Sequence, residues 1–196
     1  MPRLPFAQID AFADAPFTGN PAAVMPLAAW LDDATLQAIA EENNLAETAF
    51  LVPLPPGADA AFELRWFTPR LEVPLCGHAT LASGHMILSA VPALPDVSFR
   101  TRHAGVLVVA RDGDGYRMRL PALPAQRPLA AARLAAVAAA LGARPVEGWE
   151  RDDGYMMVVF DDPAEVRALA PDFRAIVALA PGTGLMVVAT APGEDT

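Results

Sequence analysis

The spacing of hydrophobic and polar residues predicts that the first 120 residues are mostly strands. Short stretches with a period of two, bounded by turn residues, are typical of strands. We find them at residues 4–12, 22–25, 45–52, 61–67, 97–101, 105–111 and 116–120. Asp112-Gly113-Asp114-Gly115 joins the last two and has the composition of a tight hairpin turn.

Two helices are predicted among these strands. The first begins at Leu31-Asp32-Asp33, where either aspartate can cap the helix, and it stops at Asn43-Asn44. The second, residues 79–90, is apolar on all sides, which is typical of a helix at the centre of a domain.

The proline-rich stretch 121–128 predicts a boundary between a first domain, residues 1–122, and a second, residues 129–196. In the second part we predict helices at 129–141, closed by Gly142, and at 163–169, a short element at 176–179, and strands at 155–160 and 185–190. Two strands are too few to repeat the first domain. We therefore expect the second domain to be incomplete.

The stretch 45–52 is apolar on both strand faces except at Glu47. A carboxylate among apolar neighbours loses hydration, which predicts a raised pKa. Such a group can accept and return a proton near neutral pH. The alternative is that Glu47 pairs with one of the 14 basic residues, all of them arginine.

Cys76-Gly77-His78 directly precedes the central helix. Unpaired backbone N–H groups at a helix start attract negative charge. Gly77 allows a ligand to approach the backbone, or permits a positive φ. The alternative is a tight turn with a structural glycine and a half-buried histidine.

Two further patterns concern ligands. Asn20, in the turn Gly19-Asn20-Pro21, can hold a substrate carboxylate or close the turn. His78 and His85 share a helix face, but further ligands at close spacing are missing, so we predict no metal site. We interpret His85 as a packing residue.

Composition narrows the class of partner and the compartment. The net charge is −9, which argues against nucleic acid but allows a small anion at a locally positive site. A single cysteine excludes an internal disulfide and fits a reducing cytoplasm. We find no apolar run long enough for a membrane span and no signal peptide pattern, and so we expect a cytoplasmic protein.

Four sequence blocks resemble the PhzF family of phenazine-biosynthesis-like isomerases. They are residues 17–24 (FTGNPAAV), 44–50 (NLAETAF), 64–69 (LRWFTP) and 75–80 (LCGHAT). The resemblance implies an α+β fold of the diaminopimelate epimerase type, with two similar domains, each a barrel-like mixed sheet around a central helix. It also implies a cofactor-free homodimer that moves a proton within a small cyclic or amino acid, in a cleft between the domains.

The resemblance also implies roles for particular residues. The family's catalytic glutamate matches Glu47, and its Gly-His pair matches Gly77 and His78. In this interpretation Glu47 is the general acid/base and His78 polarises or orients the substrate. Asn20, Cys76 and Gly77 are the predicted substrate-binding residues.

One departure from the family pattern leaves alternatives open. The family's second signature, an Asp-Pro-Val-Thr-Gly-Ser-type loop, is not matched by Gly193-Glu194-Asp195-Thr196. We therefore expect either a truncated chain or loss of the family chemistry, and an inactive truncated form that acts only as a binding module is one alternative to the isomerase. A racemase or epimerase using Cys76 is the other alternative, but related epimerases use a second cysteine, which this chain lacks.

Overall fold

The structure is a computed structural model that describes residues 3–15, 17–122, 124–179 and 187–193. The chain forms two compact units, Met1–Pro121 and Ala122–Thr196. The first unit combines eight strands with two helices. In chain order these are β1 (Ala7–Ala11), β2 (Asn20–Pro26), α1 (Asp33–Asn43), β3 (Glu47–Pro53), β4 (Phe62–Phe67), β5 (Glu72–Val73), α2 (Gly77–Ala90), β6 (Asp96–Arg100), β7 (Val106–Asp112) and β8 (Gly115–Met118).

The strands of the first unit form one mixed sheet that curls around α2. The strand order is β1-β2-β3-β4-β6-β7-β8, and β5 pairs with β4. The pairs β2–β3 and β4–β6 are parallel, whereas the other pairs are antiparallel. Helix α2 contacts β1, β2 and β3 near one end of this order and β6, β7 and β8 at the other. The prediction of a barrel-like sheet around a central helix is confirmed for this unit.

Strand β3 is covered on both faces, as its sequence predicts. Ala49 and Leu51 point into the core that contains α2. Phe50, on the opposite face, packs with Leu36 of α1. Both layers exclude water, so Glu47 at the start of the same strand is next to a dry core.

The central helix approaches β7 closely because of Gly84. A Cβ at this position would lie 2.5 Å from Val109 Cγ1. The absence of a side chain at position 84 therefore sets how closely α2 packs against the sheet, and so where the start of α2 lies relative to β3.

The start and end of α1 also follow from its sequence. The Asp32 carboxylate accepts a hydrogen bond from the Thr35 N–H at 2.9 Å, and Asn44 closes the helix in the left-handed conformation. Of the two predicted capping residues, Asp32 is the cap, whereas Asp33 forms an ion pair with Arg65.

Within its described residues, the second unit has a four-stranded sheet with three helices. Its elements are β9 (Arg127–Pro128), α3 (Ala131–Leu141), β10 (Glu147–Glu150), β11 (Met156–Val159), α4 (Pro163–Arg167), α5 (Phe173–Ala178) and β12 (Val187–Thr190). The strand order is β12-β11-β10-β9, and the core includes Val137, Val158 and Phe160. Residues 185 and 186 of the predicted last strand lie outside the described residues.

The prediction of only two strands in this second unit is wrong, because β9 and β10 also form. Strand β10 reads Glu147-Gly148-Trp149-Glu150, which lacks hydrophobic alternation. A Cβ at Gly148 would lie 2.6 Å from Leu129 Cδ1, so any larger residue there would require the leucine side chain to move. Tertiary packing, not strand propensity, selects this segment.

Within the described part of the chain, no helix is both long enough and apolar enough to cross a membrane.

Candidate active site

Glu47, Cys76 and His78 come together at the start of α2. Glu47 is the first residue of β3 and pairs in register with Ala22 of β2. It lies on the face of β3 that also carries Ala49 and faces α2. Cys76 is the N-cap of α2, and His78 is the second residue of the helix.

The imidazole of His78 lies between the thiol and the carboxylate. Glu47 Oε2 is 3.2 Å from His78 Nε2, and Cys76 Sγ is 3.4 Å from His78 Nδ1. The side chains of His78 and Glu47 are 11% and 20% exposed, and Cys76 is buried. One face of the group is thus anchored in the core, and part of the carboxylate remains accessible to a small molecule.

The arginine alternative for Glu47 is not observed. Among the ion pairs of the described residues, the partner of Glu47 is His78. The Nε2–Oε2 contact has the distance of an ion pair but not the alignment of a hydrogen bond, and within the same residues the buried Nε2 atom has no aligned partner. Nε2 therefore has hydrogen-bonding capacity available for another group.

Burial keeps the thiol protonated. Removal from water, followed by the negative charge of Glu47, raises the pKa of Cys76 from 9.0 to about 12. At neutral pH the Cys76 side chain is a thiol, which can donate to His78 Nδ1 when the imidazole carries its proton on Nε2.

The imidazole is neutral near pH 7. Burial lowers the pKa of His78 below its ordinary value of 6.5, although the nearby Glu47 carboxylate acts in the opposite direction. In the tautomer in which Nδ1 accepts from the thiol, the ring proton is on Nε2, the atom that faces Glu47.

Gly77 begins α2 and does not have a positive φ, so that explanation for the glycine is wrong. A Cβ on Gly77 would meet Leu120 Cδ1 at 3.5 Å, which is an ordinary contact. Crowding within the described residues therefore does not require glycine here. The N–H groups of the first helical turn have no helical acceptor, and a glycine among them leaves them open to an anionic ligand.

Asn20 is the first residue of β2, where it is exposed and pairs in register with Ala11. It lies two residues before Ala22, the register partner of Glu47, and so on the same face of β2. The preceding turn is closed instead by Thr18, whose hydroxyl donates to the Ala15 carbonyl at 2.7 Å. Within the described part of the chain, the Asn20 amide makes no hydrogen bond that would assign it to turn closure.

Sequence reasoning missed the contact between Cys76 and His78. The signal was present, because two residues at i and i+2 that flank a helix start can point toward each other when the first one is extended, as Cys76 is. His85 does not join the group. His85 is exposed, and its ring lies edge-on to the Tyr116 ring with the centroids 5.5 Å apart.

A sequence model of the family described as "Phenazine biosynthesis-like protein", PhzC-PhzF, matches residues 9–196. The chain belongs to this family. An uncharacterized isomerase of Pseudomonas aeruginosa is 50% identical over 194 residues, which cover 98% of this chain and 71% of that relative.

Solved structures show the same fold for this PhzF-family chain. A PhzF-family protein from Enterococcus faecalis is similar with a TM-score of 0.75 and 38% identity, covering 98% of this chain and 70% of that one. A predicted epimerase from Pseudomonas aeruginosa gives a TM-score of 0.71 at 23% identity, covering 96% of this chain and 70% of that one. The α+β fold of the diaminopimelate epimerase type, which the resemblance implied, is confirmed.

Proposed function

We propose that this PhzF-family protein is a cofactor-independent isomerase that moves a proton within a small acid. The observation that carries the proposal is the pair of Glu47 Oε2 and His78 Nε2, 3.2 Å apart at the start of α2. A carboxylate beside a neutral imidazole, next to the backbone N–H groups of the first turn of α2, combines a proton carrier with donors for a developing negative charge. The relatives named as isomerases support the same class of reaction.

In the proposed reaction, Glu47 removes a proton from one carbon of the substrate and returns it to another. The electron pair released at the first carbon is delocalised toward the substrate's carbonyl or carboxylate group. The protonated Nε2 of His78 donates to that group and orients it. Glu47 returns one proton for each proton that it takes, so the cycle is balanced without an oxidant or a second base. Because the Glu47 side chain is partly exposed, the proton that it holds exchanges with solvent before it is returned.

The substrate is proposed to be a small cyclic or amino acid. The backbone N–H groups at Gly77 and His78 would hold its carboxylate at the positive end of the 14-residue helix α2. Asn20, on the same strand face as Ala22, would supply a neutral donor. Cys76 would line the bottom of the site and hold the imidazole of His78 in place.

Two alternatives make different demands on the same residues. A racemase that uses Cys76 as its base needs a thiolate, and the raised pKa of the thiol disfavours that form. An inactive binding module would bind acids without exchanging their protons, so exchange with solvent separates it from the isomerase.

The proposed oligomer is a homodimer, on the resemblance to PhzF proteins alone. Sedimentation at several concentrations tests it separately from activity. A monomeric protein that still exchanges substrate protons would remove the dimer from the proposal and leave the chemistry.

The test of the acid/base role is Glu47→Gln, which keeps the shape of the side chain and removes its ability to carry a proton. We expect solvent-proton exchange into small-acid substrates to fall by roughly 10²–10⁴-fold, the usual contribution of general acid/base catalysis. Glu41→Gln, on the exposed face of α1, is the matched control and should exchange at the wild-type rate. Near-full exchange by Glu47→Gln would overturn the assignment.

A further inference from the structure

We infer that Glu47, Cys76 and His78 form a binding site for a thiophilic divalent cation of the zinc class, and that the cation inhibits the protein. The binding stands on the geometry of the three side chains. The inhibition rests on the proposed isomerase function, because it assumes that Glu47 and His78 carry the reaction.

The three side chains supply donor types that zinc prefers. Thiolate, imidazole and carboxylate are the three ligand types that Zn²⁺ uses in proteins, and a thiolate disfavours Mg²⁺ and Ca²⁺. Donor atoms from the three residues all lie within 4.8 Å of one another. The group thus differs from an exposed acidic cluster, since it combines nitrogen, sulfur and oxygen donors around one point.

The distances are the second argument. Zinc bond lengths of about 2.0–2.3 Å place neighbouring tetrahedral ligands roughly 3.3–3.6 Å apart. Cys76 Sγ and His78 Nδ1 are already 3.4 Å apart. The Glu47 donor atom lies within 4.8 Å of both other donors, and the Glu47 side chain is partly exposed, so a small side-chain rotation would bring it to ligand distance.

Charge and access are the third argument. The positive potential at the N-terminus of α2 disfavours a cation. A thiolate and a carboxylate together carry two negative charges, which neutralise a dication and so offset this effect. On binding, the metal–sulfur bond replaces the S–H bond, and the thiol proton leaves to solvent. Three protein ligands leave the fourth position for water, reached from the side on which Glu47 is accessible.

Metal binding would affect activity because the cation and the proposed reaction both need the carboxylate of Glu47. A cation bound to a Glu47 oxygen withdraws the electron pair that would remove the substrate proton. Zinc-class ions should therefore inhibit the protein, and a chelator should restore it.

The experiment is a titration of the reduced, metal-free 196-residue chain with Co²⁺, read by absorption spectroscopy. We expect the charge-transfer band that arises only when a thiolate binds cobalt. Zn²⁺ should abolish the band by displacing cobalt, and Mg²⁺ should leave it unchanged. If the folded wild-type chain gave no thiolate–cobalt band, the inference would be overturned.

Variants assign the ligands. Cys76→Ala should remove the band. For His78→Gln, competition with a metal indicator should show a weaker affinity for Zn²⁺. The loss should exceed roughly 10–100-fold, which is the usual effect of removing a residue that only hydrogen-bonds to a metal ligand. His85→Gln is the matched control, because His85 is on the same helix but contacts Tyr116 instead. Circular dichroism checks that each variant is folded. Unchanged Zn²⁺ affinity in folded His78→Gln, or loss of the band in His85→Gln, would contradict the assignment.

The two proposals fail separately. Metal binding is measured without substrate, so a missing band leaves the isomerase proposal standing. Absence of proton exchange in a chain that shows the band would leave the metal site standing and remove only the inhibition.

Discussion

The Cys76 thiol is buried, protonated at neutral pH and 3.4 Å from His78 Nδ1. These properties suit a hydrogen-bond donor that fixes the imidazole and do not suit a base. We expect Cys76→Ala to slow isomerisation by no more than about tenfold, since one lost hydrogen bond is worth about 0.5–1.5 kcal/mol. Steady-state exchange rates measure this. Complete loss of exchange with an unchanged circular dichroism spectrum would support the thiol mechanism instead.

The same residues predict how stability depends on pH. The pKa of Cys76 is raised from 9.0 to about 12 in the folded state, so its contribution is complete below pH 9 and is lost as the pH rises from 9 toward 12. The pKa of His78 is lowered below 6.5, so the unfolded chain takes up the proton first. Stability is therefore lost as the pH falls through 6.5 toward the folded pKa.

Urea unfolding at a series of pH values measures both effects. Cys76→Ala should flatten the alkaline decline between pH 9 and 12, and His78→Gln should flatten the decline below pH 6.5. An alkaline decline of the same steepness in wild type and Cys76→Ala would mean that another group causes it.

The sequence allowed Glu47 and His78 to be chosen singly but could not establish their contact. Glu47 was visible because it interrupts an apolar strand, and His78 because it follows a helix cap. Their contact depends on where β3 begins relative to α2, which is set by long-range pairing such as that of Ala22 with Glu47. The proximity of Glu47 to Cys76 was missed for the same reason, since a spacing of 29 residues matches no local motif.

At the scale of elements, the position of α2 depends on its glycine at 84. Gly84→Ala would place a Cβ 2.5 Å from Val109 Cγ1, so helix or strand must shift. Overpacking of this kind typically costs about 1–3 kcal/mol, so we expect a clear loss of stability in urea unfolding. Val109→Ala, added to Gly84→Ala, removes the contacting methyl groups and should recover part of that loss. Wild-type stability for Gly84→Ala would mean that α2 does not approach β7 this closely.

Elements with clear periodicity were predicted well, and those selected by packing were not. Strand β3, helix α2 and the hairpin at Gly113 follow from alternation, apolar content and turn residues. Strand β5 has two residues and β9 has two residues ending in proline, and such short segments carry no periodic signal. Strands β5 and β9 pair because a neighbouring strand presents backbone hydrogen-bonding groups to them. The position of that neighbour is set by the tertiary fold and not by the local sequence.

At the scale of the molecule, the residues proposed to carry the reaction belong to the first unit. Glu47 and His78 lie within Met1–Pro121, and that unit has its own core around α2. The chain spans 71% of the length of its Pseudomonas aeruginosa relative, and its activity therefore has to be measured on the chain itself.

The central claim is that this chain moves a proton within a small acid by way of Glu47. The most direct measurement is incubation of the chain with candidate acids in deuterated water, followed by nuclear magnetic resonance of the recovered acid. For the wild-type chain we predict deuterium at the carbon that receives the proton, together with the shifted double bond. For Glu47→Gln we predict neither. Acid that binds yet emerges without deuterium and without rearrangement would contradict the claim and leave the binding module.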